Sequence, residues 1–340
     1  MGSDNQLNYP LEHGGDLSKA SVKYRRDESQ WLDLSTGIAP WSWPIPQIPE
    51  SVFASLPSNN GKLEQAAAAY YGNSSLLAVP GSQAAISHLP RFFSKCKVGV
   101  LWPSYAEHFA SWQHHGHQVV ALKQHEIDEQ LETLRILVVV NPNNPTSQFI
   151  PLNTLLDWKH RLAKNNGFLI IDEAFIDTQP QQSFLHSGLD LNNVIVLRSL
   201  GKFFGLAGVR LGFIFAHQSI LQFLQSQLGP WSVNHVAQCL GSQALLDKPW
   251  HIKQTLRLQQ NARQLQQAFS KWSGLLSSDY FVWIQTKNAE SIHEHFAKAG
   301  IWTRLFSQPK SIRIGLPKNK NDWKELRKAI GEIETLYHTI

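Results

Sequence analysis

Between residues 77 and 216, short runs of Val, Ile and Leu alternate with stretches whose apolar residues recur at helical spacing. The runs at 98–102, 118–122, 136–140, 168–171, 194–197 and 211–216 predict strands, and 82–93, 106–115 and 152–165 predict helices between them. Strands apolar at nearly every position are covered on both faces, which is the habit of a mostly parallel sheet. This is an α/β body, and ligands of such sheets sit beyond the carboxyl ends of the strands.

The flanks read differently. Residues 1–50 read as loops and short pieces. His13-Gly-Gly-Asp16 is a turn, and Trp31-Leu-Asp-Leu-Ser-Thr-Gly-Ile38 is a short strand running into a bend. Prolines at 40, 44, 46 and 49 preclude a regular element there. A helix begins near Leu63, with Leu63, Ala66, Ala67 and Tyr70 on one face, and closes at Gly72. After about 221 the pattern is helical to about 272, broken at Gly229-Pro-Trp-Ser232. A strand at 281–285, a helix at 289–299, a strand at 311–316 and a last helix at 320–337 complete the chain. The expected organisation is an N-terminal segment (1–50) serving a small domain and the active site, a large domain (51–245) and a C-terminal small α+β domain (246–340).

Composition narrows the function classes. Hydrophobic residues at 42% and charged residues at 17% describe a globular chain. The two cysteines, Cys96 and Cys239, are far apart and form no CxxC pattern, which argues against a disulfide framework or zinc site and fits a reducing cytosol. No run approaches the roughly 20 apolar residues of a membrane span, and residues 1–10 lack the apolar core of a signal peptide. A cytoplasmic protein with no membrane partner is expected. The net charge of +5 is mild and its Lys and Arg are scattered, so an anionic small substrate explains it as well as nucleic acid, for which no motif exists. His114 with His115, and His293 with His295, do not share a helix face in either pair; no metal site is expected and all four are read as solvated.

The chemistry concentrates in Leu197-Arg-Ser-Leu-Gly-Lys-Phe-Phe-Gly-Leu-Ala-Gly-Val-Arg-Leu-Gly212. Lys202 sits there among small and apolar residues, a setting that lowers an ammonium's pKa or signals a covalent use such as a Schiff base. Ser199 and Arg210 flank it with the hydroxyl and fixed cation that a phosphate needs. Pro80-Gly-Ser-Gln-Ala84 precedes a helix and offers backbone N–H groups and Ser82 to a phosphate, though ordinary capping has the same pattern. Asn141-Pro-Asn-Asn-Pro-Thr146 follows a strand directly and leaves Asn144 able to aim its amide at a ligand oxygen. Asp172-Glu-Ala-Phe175 ends another strand, where a carboxylate must be solvated, paired or used. Magnesium-binding ATPases also place Asp-Glu there, but no G-x-x-x-x-G-K-[ST] loop is present.

Taken together and in order, these motifs resemble the fold-type I pyridoxal-phosphate (PLP) enzymes, the aspartate aminotransferase superfamily, over nearly the whole chain. The resemblance implies a large domain with a mostly parallel sheet, a smaller α+β domain built from both termini, and a homodimer. It implies that Lys202 is the catalytic residue and binds PLP covalently, that Asp172 holds the pyridine nitrogen and that Asn144 holds the phenolic oxygen. Ser82, Gln83, Ser199 and Arg210 would cradle the phosphate, and Tyr105 would stack on the ring. Two places depart from the superfamily pattern. Phe175 stands where many relatives carry Tyr, and 56–61 lacks the Tyr-Pro-Asp that reaches a neighbouring subunit's phosphate.

Within the superfamily, His13-Gly-Gly-Asp16, the 31–38 segment, Gly229-Pro-Trp-Ser-Val233 and Ser311-Ile-Arg-Ile-Gly-Leu-Pro317 are most similar to the L-threonine-O-3-phosphate decarboxylases of cobalamin biosynthesis. That likeness implies a small phosphorylated amino-acid substrate, held by His13, Gly14, Gly15, Gly37, Asn144, Arg304 and Arg313. Arg313 stands where aminotransferases grip the α-carboxylate. Two other expectations stay open: an aminotransferase such as histidinol-phosphate aminotransferase, and a non-catalytic protein on the same fold.

Overall fold

A computed structural model of the chain describes Leu11, residues 13–58 and residues 60–336. They form two compact units, one from 38–261 and the other from the described parts of 1–37 and 262–340.

The larger unit is built on seven strands: β1 (Leu76–Val79), β2 (Lys97–Leu101), β3 (Gln118–Leu122), β4 (Ile136–Val140), β5 (Phe168–Asp172), β6 (Val194–Ser199) and β7 (Gly212–Phe215). Their order in the sheet is β1-β7-β6-β5-β4-β2-β3. From β6 outward to β3 every pairing is parallel, while β7 runs antiparallel to both β6 and β1. The expectation of a mostly parallel sheet holds, with one reversed strand inside it. Burial explains the uninterrupted apolar runs, because β4, β6 and β7 are buried at every position. Strand β1 was not expected. Its four residues, Leu-Leu-Ala-Val, are too short for apolar periodicity to separate strand from helix.

Helices Ser82–His88, Ala106–His114 and Leu152–Lys164 fall where the pattern puts them. The first is shorter than the expected 82–93, because Pro90 turns its end into a 3-10 segment, Leu89–Phe92. Helices Gln218–Leu228 and His235–Leu246 are separated at the expected Gly229 break. The unit boundaries fall at 37/38 and 261/262, whereas the sequence placed them at 50 and 245. The shift has a physical cause. The Ala39 and Trp43 N–H groups donate to the carbonyls of Lys202 and Phe204, at 3.1 and 2.8 Å. Trp43 Nε1 also donates to Asp247 Oδ2 at 3.0 Å. The proline-rich segment is thereby bound to the larger unit.

The smaller unit carries an antiparallel sheet of four strands, in the order Arg304–Ser307, Lys310–Gly315, Phe281–Gln285, Leu275–Ser277. Helices Ala289–Lys298 and Lys320–Leu336 belong to it; Tyr337, the expected end of the last helix, lies outside the described residues. The short strand expected near 31–38 is Leu32–Asp33, and it pairs in parallel with Ile301–Trp302. A helix at Ser18–Tyr24 was missed; Ala20 is its one buried residue, too little for an apolar stripe. His293, read as solvated, is buried, with its Nδ1 2.7 Å from Thr303 Oγ1 and its ring against Trp302.

Candidate active site

Every chemical motif of the larger unit falls at one edge of the sheet. Asp172 ends β5, Ser199 ends β6, and Arg210 stands just before the reversed β7. Asn144 follows β4, and Ser82 follows β1. The reversal of β7 therefore brings Arg210 to the same edge as the carboxyl ends of the parallel strands. Around this edge lies a cleft of about 550 Å³, part of it open to solvent, lined among others by Ser82, Gln83, Tyr105, Asn144, Asp172, Ser199, Lys202 and Arg210. The structure thus brings together all eight residues expected at the cofactor.

Local packing explains why each side chain is presented. Asn141 and Asn143 hold the loop that carries Asn144. Asn141 exchanges two hydrogen bonds with the backbone of Ile150, at 2.8 and 3.0 Å. Asn143 donates to Pro103 O and Thr146 Oγ1 and accepts from Ser104 Oγ. Lys202 is followed by the fully buried Phe203 and Phe204, and its carbonyl accepts from Ala39 and Gly205. Its ammonium lies 5.5 Å from the ring centroid of Phe175. At Gly81 (φ +79°) an added Cβ would come within 2.5 Å of Arg210 Nη2, so the absence of a side chain there leaves room for the guanidinium.

Asp172 is buried and held on both oxygens. His108 Nε2–H donates to Oδ2 at 2.9 Å, and the Ala174 N–H donates to Oδ1 at 3.1 Å. His108 was missed in the sequence. Its signal was the spacing of three from Tyr105 at the start of a helix, which sets both side chains on one face. Replacing His108 with Leu removes a hydrogen bond to a charged group, about 1.5–3 kcal/mol. If the cleft holds the expected PLP, its affinity should fall roughly 10- to 100-fold on titrating the apoprotein.

Gln83 differs from expectation in what its side chain does. Its amide accepts from Tyr105 OH and donates to Glu107 Oε2, both at 3.0 Å. The side chain therefore fixes the Tyr105 ring, and only the residue's backbone N–H would be left for a phosphate.

A second feature missed in the sequence lies behind the cleft, where Arg198 is wholly buried against Glu173 and Asp177. Burial pushes the Glu173 carboxyl up, against the pull of Arg198, Ser183 and the Phe184 N–H. Burial also works against the Arg198 charge, but Asp177 and Glu173 outweigh it and strengthen its hold on the proton. Burial, then Asp177, raises Tyr70 well above its usual range.

The smaller unit gathers the residues expected at the substrate. Gly15 N donates to Ser35 Oγ at 2.9 Å, and a Cβ on Gly14 would come within 2.5 Å of Ser35 O. Arg313, buried, donates from Nη2 to that same carbonyl at 2.7 Å. The segment through Gly37 lies along the arginine's strand, since Gly315 N donates to Leu34 O and a Cβ at Gly315 would meet Thr36 O. His13, at the start of the turn, is exposed. Arg304 is directly opposite Arg313 in the antiparallel register, so the two arginines share one face of the sheet. Arg304 also lies over the Phe306 ring, 5.1 Å from its centroid.

A sequence profile for aminotransferase class I and II matches residues 48–330. The chain belongs to this family. It is similar to the threonine-phosphate decarboxylase of Pseudomonas aeruginosa, 42% identical over 94% of this chain and 97% of that one. It is also similar to the threonine-phosphate decarboxylase of a Sinorhizobium species, 33% identical over 96% of this chain and 100% of that one. In fold it is similar to the histidinol-phosphate aminotransferase of Sinorhizobium meliloti, solved with pyridoxal-5'-phosphate, with a TM-score of 0.83 at 18% identity, covering 98% of this chain and 99% of that one.

PLP is the family's cofactor, and the cleft's donor set fits it. The lining offers an amine that would suit its aldehyde, a buried carboxylate its ring nitrogen, an amide its phenolic oxygen, and two hydroxyls with a guanidinium its phosphate. Among the described residues no group of His, Cys, Asp and Glu is placed to hold a metal ion, and no helix is long and apolar enough to cross a membrane.

Proposed function

We propose that this chain decarboxylates L-threonine O-3-phosphate to (R)-1-amino-2-propanol O-2-phosphate and CO2, in cobalamin biosynthesis. What carries the reading is the 42% identity to a threonine-phosphate decarboxylase along nearly the full length of both chains. The substrate side of the structure supports it. Arg304 stands opposite Arg313 in the sheet, and two cations on one face suit a ligand with both a carboxylate and a phosphate. Arg313 takes the role of carboxylate anchor, as a planar guanidinium does well. Arg304 and the turn at His13, Gly14 and Gly15 take the phosphate, and Gly37 lines the substrate's side.

In the larger unit Asp172 would keep the ring nitrogen protonated, Asn144 would bind the phenolic oxygen, and Tyr105 would lie against the ring. Ser82, Ser199, Arg210 and the Gln83 backbone hold the cofactor phosphate. Bound PLP supplies an electron sink for the charge left on the α-carbon. Arg304 and the turn at His13 to Gly15 would anchor the substrate phosphate and so orient the carboxylate for loss. Lys202 then delivers one proton to the α-carbon, so that the C–C bond is replaced by C–H. Purified protein given PLP and L-threonine O-3-phosphate should release CO2 and the amine phosphate with no keto acid present. Inactivity there, with amino transfer from histidinol phosphate to 2-oxoglutarate, would contradict the reading.

The protein is read as a cytoplasmic homodimer. Both cysteines are free thiols, as suits a reducing compartment. The larger unit exposes Phe53, Leu56, Trp231, Leu246, Ile252 and Leu256, large apolar side chains of the kind a subunit contact covers. Trp231, 59% exposed, also holds a left-handed backbone (φ 56°), a conformation that bulky residues rarely adopt. Light scattering should give a particle of twice 38.5 kDa. Replacing both Ile252 and Leu256 with Glu should shift it toward monomer. A wild-type monomer at micromolar concentration would contradict the dimer.

A further inference from the structure

The buried charges behind the cleft have no place in the chemistry described so far, and stability alone does not account for them. An ion pair shut away from water loses its hydration, and a well-packed apolar replacement is often as stable or more so. Arg198 is 1% exposed and Glu173 is fully buried. Arg198 Nη1 donates to Glu173 Oε2 at 3.1 Å, and Nη2 donates to Asp177 Oδ1. Glu173 is held at both oxygens, Oε2 by Ser183 Oγ at 2.5 Å and Oε1 by the Phe184 N–H at 2.7 Å. Tyr70 OH donates to Asp177, and the Tyr71 ring lies 4.5 Å from the guanidinium. The cluster joins the helix Lys62–Tyr71, the tips of β5 and β6, and the loop that follows β5.

Its position in sequence is what matters. Glu173 directly follows Asp172, and Arg198 directly precedes Ser199. Successive side chains on a strand point to opposite faces. With Asp172 and Ser199 facing the cleft, their neighbours Glu173 and Arg198 face away from it and meet each other. The two strand tips are joined there in the backbone as well, since Glu173 N donates to Leu197 O at 2.9 Å. We propose that Arg198 and Glu173 are positioning residues. Their ion pair on the far face of the sheet fixes the spacing of the β5 and β6 tips, and so sets the Asp172 carboxylate and the Ser199 hydroxyl against the cofactor. Asp177 completes the brace by holding the second guanidinium nitrogen. The proposal rests on the reading of the cleft as the PLP site. Glu173 is suited to the role because all three of its partners donate, a demand that an acceptor-only carboxylate meets and an amide does not.

The test separates holding the cofactor from holding the fold. Arg198→Met combined with Glu173→Met and Asp177→Asn exchanges the buried charges for neutral volume while leaving an acceptor at position 177 for the Tyr70 hydroxyl. Arg198→Lys keeps the charge, but a single ammonium cannot span both carboxylates as the guanidinium fork does. For each full-length variant, the thermal midpoint of the apoprotein is measured beside its dissociation constant for PLP. A misplaced site loses much of its function for a small displacement. The triple variant should therefore keep a midpoint near wild type while binding PLP at least about tenfold more weakly. Arg198→Lys should fold and weaken PLP binding by several-fold. If either variant folded and bound PLP within twofold of wild type, the proposal would be overturned. The same holds if affinity merely followed the midpoint across the set. Wild-type protein that took up no PLP would overturn the cofactor reading and this proposal together. Wild-type uptake with unchanged variant affinities would overturn this proposal alone.

Discussion

Lys202→Ala should lower turnover by about 10⁴-fold or more, the upper end of what a positioned acid–base group contributes. The loss should come from chemistry rather than folding. The Lys202 backbone is held independently of its side chain, by hydrogen bonds from Ala39 and Gly205 to its carbonyl. The flanking Phe203 and Phe204 are fully buried, and Phe204 stacks on Trp250 at 5.6 Å. The apoprotein's thermal midpoint should therefore change by only a few degrees. Borohydride treatment followed by peptide mass analysis should place the cofactor on Lys202 in the wild type and on no residue of the variant. A variant that kept a tenth of wild-type turnover would remove Lys202 from the mechanism.

Asp172→Asn should have the next largest effect. The carboxylate is buried and accepts hydrogen bonds from His108 and Ala174, one to each oxygen. Asn keeps the volume but removes the charge and turns an amide N–H₂ toward one of two donors. Breaking a buried, hydrogen-bonded charge pair costs about 3–5 kcal/mol, equivalent to roughly 150- to 5,000-fold in rate or binding. The loss should fall mainly on turnover, because the charge acts when the ring takes up electrons. Steady-state kinetics of the PLP-saturated variant would show this, and a decrease of less than about fivefold would count against the assigned role.

Much of this site was legible before the structure because its residues stand beside strand ends. An apolar run ending in Asp172, or one followed by Asn141-Pro-Asn-Asn-Pro, announces both the strand and the ligand edge. What could not be read are the contacts between segments distant in sequence. His108 reaches Asp172 across 64 residues, and Arg198 reaches Glu173 across 25. Nothing in the local pattern around Arg198 or Glu173 marks a buried charge. Arg304 was legible from the sequence only as a candidate partner for the substrate phosphate, and its place opposite Arg313 depends on a strand register that the sequence does not display. The segment 38–50 was assigned to the wrong neighbour for a similar reason. Its prolines correctly exclude regular structure, yet they carry no trace of the Trp43 and Ala39 hydrogen bonds that bind it to the larger unit.

The central claim is that the Lys202 centre breaks the carboxylate bond of the substrate and not its α-hydrogen bond. The most direct measurement is turnover of L-threonine O-3-phosphate in D₂O with analysis of product and recovered substrate. The account predicts an amine phosphate carrying one deuteron at the carbon that lost CO2, the original hydrogen retained there, and recovered substrate free of deuterium. Substrate that returned deuterated at the α-carbon with its carboxylate intact would contradict it.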